Sequence, residues 1–457
     1  MTIESELCKY YTTLNYDKLP KNVSDFAKLL ILDAIGVGIR ANKLESSAVI
    51  KKGSSEVFSG RPECVVWGTG ELQSICYAAF VNATFVHSVE LDDTHRQAVI
   101  HPGAPVIPTA FAVAECQNSS GKEMIEAIVA GYEVACRLGI AMNTQRVHID
   151  NGFHGTSLCG VFGAAVAAGK LNQFDAEELE NLLGIALSTA SGSLQYKLNG
   201  AWSKRIHPGL AAKDAILATS LAKYGFLGAA ESLTGKHGFL EMYGVDADQD
   251  KLISNKRENF EILNTAIKPY ACCRFIHPMI DVTLRIVSEN DLDPEDINVI
   301  EVLTFESAYK LSKPINRKTL PENVVDAQFS PQYGIAVAVT DREVVIDQYS
   351  QERIKDPELQ TLMQKISVHE KKEMSNIFPK EWPTSVTIKT DSETYRKSTK
   401  FPIGELENPL RKSQIIEKFD SLTSPGLTPK HQRKLTEIIL DLENVHVKDV
   451  SRIMQEI

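Results

Sequence analysis

Residues able to transfer protons or bind anions are concentrated in a few segments before residue 280. The first segment, residues 90–103, has the sequence ELDDTHRQAVIHPG and contains Glu90, Thr94 and His101. Carboxylates and imidazoles are the usual general acids and bases of enzymes. The spacing matches neither an HExxH zinc motif nor an EF-hand loop, so we expect no metal there. Ordinary solvated acids at the end of a helix are the alternative interpretation.

The second segment, NGFHGTS at residues 151–157, places His154 just ahead of a Gly/Ala-rich helix. Backbone N–H groups at the start of a helix can bind an anion. The segment resembles neither a P-loop nor GxGxxG, so we expect no nucleotide cofactor. A purely structural histidine at a helix start is the alternative.

The third segment, SKRIHPGLAAK at residues 203–213, has adjacent cations at Lys204 and Arg205 and enters an Ala-rich helix. Buried lysine and arginine are rare unless an acid or an anionic ligand pairs with them. An anion pocket and an ion pair between helices are therefore both open interpretations.

The fourth segment, IKPYACCRFIHP at residues 267–278, contains Lys268, Cys273, Arg274 and His277. It lies at a predicted domain junction, where clefts commonly bind small ligands. Acyl transfer by a cysteine–histidine pair is the alternative chemistry. Because the four segments together offer cations and histidines without a metal or cofactor motif, they favour carbon–oxygen or carbon–carbon bond cleavage on a small polycarboxylate.

The elements that must position these segments are mostly helices. Apolar periodicity predicts a first part of helices and a last part of helices, with alternating, strand-like sequence between them. We therefore predict a mainly α fold in which both chain ends build one helical domain and a smaller α+β domain is inserted. The predicted domain segments are 1–262, 263–404 and 405–457. The predicted helices cover 23–39, 71–89, 104–117, 121–142, 157–171, 176–192, 208–224, 277–290, 328–340, 410–422, 429–442 and 447–456, and the predicted strands are 298–305, 384–389 and 394–400.

Composition excludes several classes of partner. The 457 residues carry a formal net charge of -10, which argues against nucleic-acid and membrane-surface binding. The sequence contains no apolar run of membrane-spanning length and no N-terminal pattern of a secretory signal. Eight cysteines without CxxC spacing indicate free thiols. We expect a cytoplasmic chain.

Five linked motifs resemble those of the 2-methylcitrate dehydratase family, also called MmgE/PrpD. They are ELDDTH with HPG, NGFHGTS with GVFGAA, KRIHPGLAAK, GFLEMYG and KPYACCRFIHP, in order over nearly the whole chain. The resemblance implies a large helical domain with a smaller inserted α+β lid domain, a homodimer, and catalysis without metal or organic cofactor. It places the active-site set on Glu90, Thr94, His101, His154, Lys204, Lys268, Cys273 and Tyr333. Glu90 and Cys273 stand where animal cis-aconitate decarboxylases have Asp and His, whereas fungal decarboxylases are similar to this sequence at both positions.

The resemblance implies a lyase acting on a small di- or tricarboxylate. Dehydration of 2-methylcitrate or a related citrate-type acid, as in propionate metabolism, is the first expectation. Decarboxylation of cis-aconitate to itaconate is the alternative, and epimerisation of an iminodisuccinate-like acid is a further one. Lys204, Lys268 and His101, with Arg205 or Arg274, would hold the carboxylates. His101 or His154 would act as base, and the other histidine or Tyr333 as acid.

Overall fold

Alanine- and glycine-rich sequence in the first half of the chain folds into closely packed helices. A computed structural model describes residues 2–198, 200–254 and 259–456. Contacts between Cα atoms divide the chain into two compact units. We name them the helical unit (Met1–Ser88, Asp92–Thr265 and Arg411–Ile457) and the α+β unit (Val89–Leu91 and Ala266–Leu410).

Helices dominate the chain, so the predicted mainly α class is confirmed. Helices of the first part of the helical unit are α1 Ile3–Thr13, α2 Lys21–Ala41, α3 Glu45–Ser55, α4 Ile75–Val86, α5 Gly103–Gln117, α6 Gly121–Ala141, α7 Thr144–Arg146, α8 Gly155–Leu171, α9 Ala176–Ala186, α10 Ser203–Lys223 and α11 Phe239–Tyr243. Those of the α+β unit are α12 His277–Asn290, α13 Glu306–Lys310, α14 Ile315–Thr319, α15 Val324–Gln328, α16 Pro331–Thr340, α17 Gln351–Ile354, α18 Pro357–Gln364 and α19 Lys372–Ser375. Those at the end of the chain are α20 Lys412–Thr423, α21 Pro429–Leu440 and α22 Val447–Gln455.

The chain also contains short strands, and the longer ones lie in the α+β unit. Their bounds are β1 Cys64–Val65, β2 Leu72–Gln73, β3 Thr94–His95, β4 Thr265–Ala266, β5 Ile297–Thr304, β6 Ile366–Glu370, β7 Thr384–Thr390 and β8 Thr394–Thr399. In the α+β unit the strand order is β6-β5-β7-β8, with β5 parallel to β6 and the other neighbours antiparallel. The strands predicted near 298–305, 384–389 and 394–400 correspond to β5, β7 and β8, whereas the short β6 was not predicted.

Capping side chains set several helix limits. A capping box of Asp175 and Glu178 forms at the start of α9. The helix predicted over 71–89 is shorter, because Ser74 caps α4 and the residues before it pair with β1 as β2. The helix predicted over 176–192 ends at Ala186, whose carbonyl accepts a hydrogen bond from the hydroxyl of Thr189. Such side-chain bonds compete with the helical ladder.

Glycines permit close helix crossings at the centre of the helical unit. A Cβ at Gly163 of α8 would lie 2.6 Å from the carbonyl oxygen of Gly131 in α6. A Cβ at Gly209 of α10 would lie 2.2 Å from Oγ1 of Thr84 in α4. The second crossing brings the end of α4 beside the start of α10. Although α8 is almost wholly buried, no helix among the described residues is long and apolar enough to cross a membrane.

Candidate active site

The buried carboxylate of Asp92 joins two histidine rings in the helical unit. His87 is the C-cap residue of the apolar helix α4, and its Nδ1 lies 2.6 Å from Oδ2 of Asp92. The same oxygen lies 3.2 Å from Nδ1 of His101. The His87 and Asp92 side chains are fully buried, whereas 15% of the His101 side chain is exposed. Among these three residues, named here the Asp92 trio, His101 is therefore the one that a small molecule can reach.

Within the Asp92 trio, the carboxyl group of Asp92 is ionised. Burial opposes ionisation of Asp92, but the neighbouring rings of His101 and His87 outweigh it and hold the pKa of Asp92 well below its usual value. Burial lowers the pKa of His87 to about 4, against the opposing effect of Asp92. His87 is thus neutral at pH 7 and donates its Nδ1 hydrogen to Asp92. A carboxylate behind an imidazole stabilises the imidazolium formed when the ring takes up a proton, which suits His101 to proton transfer through Nε2.

Two more residues fix the position of His101. The backbone N–H of His101 donates to Oγ1 of Thr156, in the first turn of α8, at 3.1 Å. The hydroxyl of Thr94 lies 3.5 Å from Nδ1 of His101. Thr94, a predicted site residue, therefore lies beside the ring that the Asp92 carboxylate also contacts.

A second pair of imidazoles lies beside the Asp92 trio. His154 is the N-cap of α8, and its Nδ1 lies 2.9 Å from Nδ1 of His207 in α10. One nitrogen must donate and the other accept, so the contact holds one hydrogen. Burial lowers the pKa of His154 well below its usual value and that of His207 to about 4, which makes the pair neutral at pH 7. The ring centroid of His154 is 5.5 Å from that of His87, so the pair adjoins the Asp92 trio.

Such a pair can conduct a proton. A proton that arrives at Nε2 of one ring makes that ring an imidazolium. The shared hydrogen then moves across the 2.9 Å contact, and the second ring releases a proton from its own Nε2. Because burial disfavours the charged ring, the extra proton does not stay on the pair at neutral pH.

Lys204 supplies positive charge to this group of histidines. It lies in the first turn of α10, only 6% exposed. Burial is the largest cause of the lowered pKa values of His87, His154 and His207, and the positive charge of Lys204 lowers them further. An ammonium in that position suits a substrate carboxylate or a developing anion. The guanidinium of the neighbouring Arg205 donates to the hydroxyl of Ser46 and lies 5.7 Å from the ring of Trp202.

In the α+β unit, Glu90 and Lys268 form a buried ion pair. Lys268 Nζ lies 3.8 Å from Oε2 of Glu90, and Lys268 is fully buried. Glu90 adopts a left-handed backbone conformation (φ 56°), which is uncommon for a residue other than glycine and is frequent at functional sites. The amide of Gln328 donates to the carbonyls of Val89 and Ala271 at 3.2 and 3.1 Å and so holds the two segments together.

Cys273 and Tyr333 differ in burial and in their hydrogen bonds. Cys273 is half-buried, and its N–H donates to the carbonyl of Gln328 at 2.8 Å. Tyr333 is buried in α16, and its hydroxyl donates to the carbonyl of Gln348 at 2.5 Å. Burial raises the pKa of Tyr333 above its ordinary value. Proton donation by Tyr333 would require that hydrogen bond to break.

Arg274 and His277 belong to a buried network of the α+β unit. The guanidinium of Arg274 lies 2.8 Å from a carboxylate oxygen of Glu405 and donates to Nδ1 of His277 at 2.8 Å. Because Nδ1 of His277 accepts, its Nε2 carries the hydrogen and donates to the carbonyl of Cys272 at 3.2 Å. This network orients the loop of Cys272 and Cys273. The predicted substrate-binding roles of Arg274 and His277 stay predictions.

The geometry of the Asp92 trio fits hydrogen bonding better than metal ligation. One ligand atom from each of its three residues lies within 4.8 Å of the others. Ligand atoms around a tetrahedral zinc ion are about 3.3 Å apart, since Zn–N bonds measure about 2.0–2.1 Å. The 2.6 Å between His87 and Asp92 is shorter and matches a charge-assisted hydrogen bond.

The structure brings several of the predicted residues together within each unit. In the helical unit, Thr94, His101, His154 and Lys204 lie around one group of histidines, and in the α+β unit Glu90 lies beside Lys268. His87 and Asp92 were not named among the site residues predicted from the sequence. A signal was available, because a helix as apolar as α4 rarely ends on a fully buried histidine without a partner.

Comparisons with known proteins agree along the whole chain. Residues 5–251 match the MmgE/PrpD N-terminal domain, and residues 270–444 match the MmgE/PrpD C-terminal domain. A cis-aconitate decarboxylase of Aspergillus terreus is 26% identical, over 99% of this chain and 95% of the relative. The mouse cis-aconitate decarboxylase is 25% identical over 94% of this chain and 89% of the relative, and the human enzyme is 27% identical over 94% and 90%.

Proposed function

The chain belongs to the MmgE/PrpD family, and from that premise we propose that it is a cofactor-independent lyase acting on a citrate-type tricarboxylate. Decarboxylation of cis-aconitate is the first candidate, ahead of the dehydration that the sequence motifs favoured. Its support is that full-length relatives from a fungus and from mammals bear that name. The observation that carries the proposal is the group of neutral histidines beside Lys204.

The reaction needs a cation and a proton donor. When the carboxylate on the CH2 group of cis-aconitate leaves as CO2, the electron pair of the broken C–C bond forms a new C=C bond. The electrons of the original C=C bond move toward the neighbouring CH carbon, which takes up a proton to give itaconate. Negative charge develops on the carboxylate conjugated with that carbon. A fixed ammonium in a site of low dielectric stabilises this charge.

We assign these roles to residues of the helical unit. Lys204 holds the carboxylate on which charge develops. His101 delivers the proton to carbon, because Asp92 supports its charged form and it is the exposed member of the Asp92 trio. The pair of His154 and His207 then returns a proton toward His101 for the next turnover.

Dehydration of 2-methylcitrate is the second candidate, and the presence of two separate proton-transfer groups favours it. Elimination of water needs a base to remove a proton α to a carboxylate and an acid to protonate the departing hydroxyl. The Asp92 trio and the His154–His207 pair supply one group each. Isomerisation of an iminodisuccinate-like acid would use the same groups to remove a proton from one face of a carbon and return it to the other.

One experiment separates these reactions. The purified full-length chain is incubated in turn with cis-aconitate, 2-methylcitrate and iminodisuccinate, and products are followed by proton NMR. We expect itaconate from cis-aconitate, with the same rate after dialysis against EDTA. Water loss from 2-methylcitrate without itaconate would replace the first candidate by the second. No turnover of the three acids, or dependence on an added metal, would contradict the proposal.

Two variants test the assigned residues, and substitutions of an exposed lysine and an exposed histidine provide matched controls. Lys204→Ala and His101→Ala should each lower kcat by roughly 10²–10⁴ while the protein remains folded. Lys236→Ala and His237→Ala alter the same residue types at exposed positions and should leave kcat unchanged. Near wild-type turnover of Lys204→Ala or His101→Ala would remove that residue from the mechanism.

Substrate binding by the α+β unit is a separate part of the proposal, carried by Lys268. Lys268→Met removes the cation and leaves Glu90 buried without its 3.8 Å partner. The double variant Lys268→Met/Glu90→Gln restores neutrality, so a defect due only to the change in net charge should recover. A raised KM that persists in the double variant supports a role of Lys268 in carboxylate binding, and full recovery contradicts it.

We also propose that the chain forms a homodimer through the end of α10. Four large apolar side chains are at least half exposed there: Leu217 (50%), Tyr224 (86%), Phe226 (57%) and Leu227 (84%). Exposed apolar patches of this kind mark interfaces. Light scattering should give a dimer for the wild type and for the control Ile377→Asp, and a monomer for Phe226→Asp/Leu227→Asp. A monomeric wild type would contradict the proposal.

A further inference from the structure

Two cysteines of the helical unit form a close pair away from the histidines. The Sγ atoms of Cys64 in β1 and Cys116 at the end of α5 are 3.1 Å apart. We propose that this pair is a modification site, at which a hydroperoxide oxidises the two thiols to a disulfide that joins β1 to α5.

Hydrogen bonds around the pair already hold β1 beside α5. The N–H of Val65, next to Cys64, donates to both carboxylate oxygens of Glu115, next to Cys116, at 3.1 and 2.9 Å. The carbonyl of Val65 accepts from the amide of Asn82 at 3.0 Å. Since an S–S bond measures about 2.05 Å, closing it requires the two sulfurs to approach by about 1 Å. Side-chain rotation can supply such a shift without separating β1 from α5.

The two thiols differ in access, and that difference assigns their order of reaction. Cys64 is buried, whereas Cys116 is half-buried and can be reached by a small oxidant. The contact with Cys64 lowers the pKa of Cys116, while the same contact and burial raise the pKa of Cys64. The thiolate is the nucleophile toward peroxide. Cys116 is therefore attacked first, and Cys64 resolves the product.

One equivalent of hydroperoxide is enough to oxidise both thiols to the disulfide. The Cys116 thiolate attacks the terminal oxygen of ROOH, the O–O bond breaks, and Cys116 becomes a sulfenic acid as the departing alkoxide takes a proton. The Cys64 sulfur then attacks the Cys116 sulfur, its proton and the sulfenic hydroxide leave as water, and the disulfide forms. Both thiols are oxidised by one electron each, and the peroxide is reduced to an alcohol and water.

Other cysteines of the helical unit lack these features. Burial raises the pKa of Cys8, Cys136 and Cys159, which disfavours their reactive thiolates. Cys76 is half-buried like Cys116, but burial raises its pKa as well. Selective oxidation at Cys116 is therefore the expected outcome, and Cys76 provides a matched control.

The test uses the full-length chain with hydrogen peroxide as the probe. After reduction and removal of the reductant, about one equivalent of peroxide is added, free thiols are alkylated, and peptides are mapped by mass spectrometry. We expect a peptide pair linked through Cys64 and Cys116, about 2 Da lighter than the two reduced peptides together and reversed by dithiothreitol. The oxidised protein should melt a few degrees higher than the reduced protein, since the bond closes a long loop.

Variants make the result decisive. Cys64→Ser should leave Cys116 as a trappable sulfenic acid with no linked peptide, Cys116→Ser should leave Cys64 reduced, and Cys76→Ser should form the link as in the wild type. Peptide mapping of the wild type stands alone if a serine variant does not fold. A link that appears only in denaturant, preferential oxidation of Cys76, or no link once other thiols have reacted would each overturn the proposal.

Discussion

Asp92 Oδ2 lies 2.6 Å from Nδ1 of His87, and both side chains are shielded from solvent. Removing a carboxylate from water costs several kcal/mol unless hydrogen bonds compensate. The compensation is incomplete, because Asp92 Oδ1 and His87 Nε2 have no hydrogen-bond partner among the described residues. Buried atoms in that condition are uncommon and often belong to catalytic sites. The geometry is consistent with a carboxylate retained to support the partly exposed His101.

The first prediction concerns the charge of Asp92. Asp92→Asn keeps the shape of the side chain but presents a neutral amide to both rings, so it removes the support for a charged His101. We expect kcat to fall by roughly 10²–10⁴, as for a catalytic histidine that loses its orienting carboxylate. Steady-state kinetics on the substrate identified by NMR would measure the loss.

A matched substitution separates charge from fold. Asp17→Asn makes the same change at an 85% exposed aspartate and should leave kcat and Tm unchanged. A folded Asp92→Asn protein with wild-type kcat would show that the Asp92 trio has no part in proton transfer.

The second prediction is that His154 and His207 act as one unit. Because one hydrogen is shared between their Nδ1 atoms, loss of either ring interrupts the same proton path. His154→Gln and His207→Gln should each lower kcat, and the double variant should lower it little further. His154→Gln combined with the exposed His237→Gln should show independent effects. Losses that multiply in the His154→Gln/His207→Gln double variant would contradict a shared path.

The third prediction assigns Arg274 to stability. Arg274→Met leaves Glu405 buried without its 2.8 Å partner, which should lower the free energy of unfolding by about 3–5 kcal/mol. Arg274→Met/Glu405→Met removes both charges and should recover most of that loss, together with wild-type kcat and KM. Urea denaturation and steady-state kinetics measure both quantities. A raised KM in a stable double variant would instead support the substrate-binding role predicted from the sequence.

Sequence periodicity predicted the positions of the long helices, because apolar and small residues in α5, α6 and α8 leave few alternatives to packing against other helices. Helix ends were predicted less well where a side chain intervenes, as Thr189 does after α9. The short strand β6 escaped prediction because its pairing with β5 depends on residues more than sixty positions away.

The candidate site was predictable only in part, because many of its contacts join segments that are distant in the sequence. Residue type and helix-start position were enough to single out His101, His154 and Lys204. Which nitrogen faces which oxygen depends on how helices cross, so the link from His87 through Asp92 to His101 was not visible in the sequence. The partner of Arg274 is 131 residues away at Glu405, a distance over which local sequence patterns carry no information.

The fourth prediction uses the pKa of His87, which burial lowers to about 4 in the folded chain. An unfolded chain binds a proton at a histidine below about pH 6.5, whereas the folded chain does not do so at His87 until about pH 4. Stability from the neutral, hydrogen-bonded ring is therefore fully present above pH 6.5 and is lost as the pH falls toward 4. The loss should approach about 3 kcal/mol.

His87→Gln removes this titration while its amide can still donate to Asp92. The difference in unfolding free energy between wild type and His87→Gln, from urea denaturation, should be largest at pH 7.5 and should shrink steadily toward pH 4.5. Buried acids such as Asp93 and Glu133, whose pKa values burial raises to about 8, give the opposite slope, but they occur in both proteins and cancel in the difference. A constant difference for His87→Gln would mean that the folded chain protonates His87 as readily as the unfolded chain does, and the neutral state assigned to His87 would then be wrong.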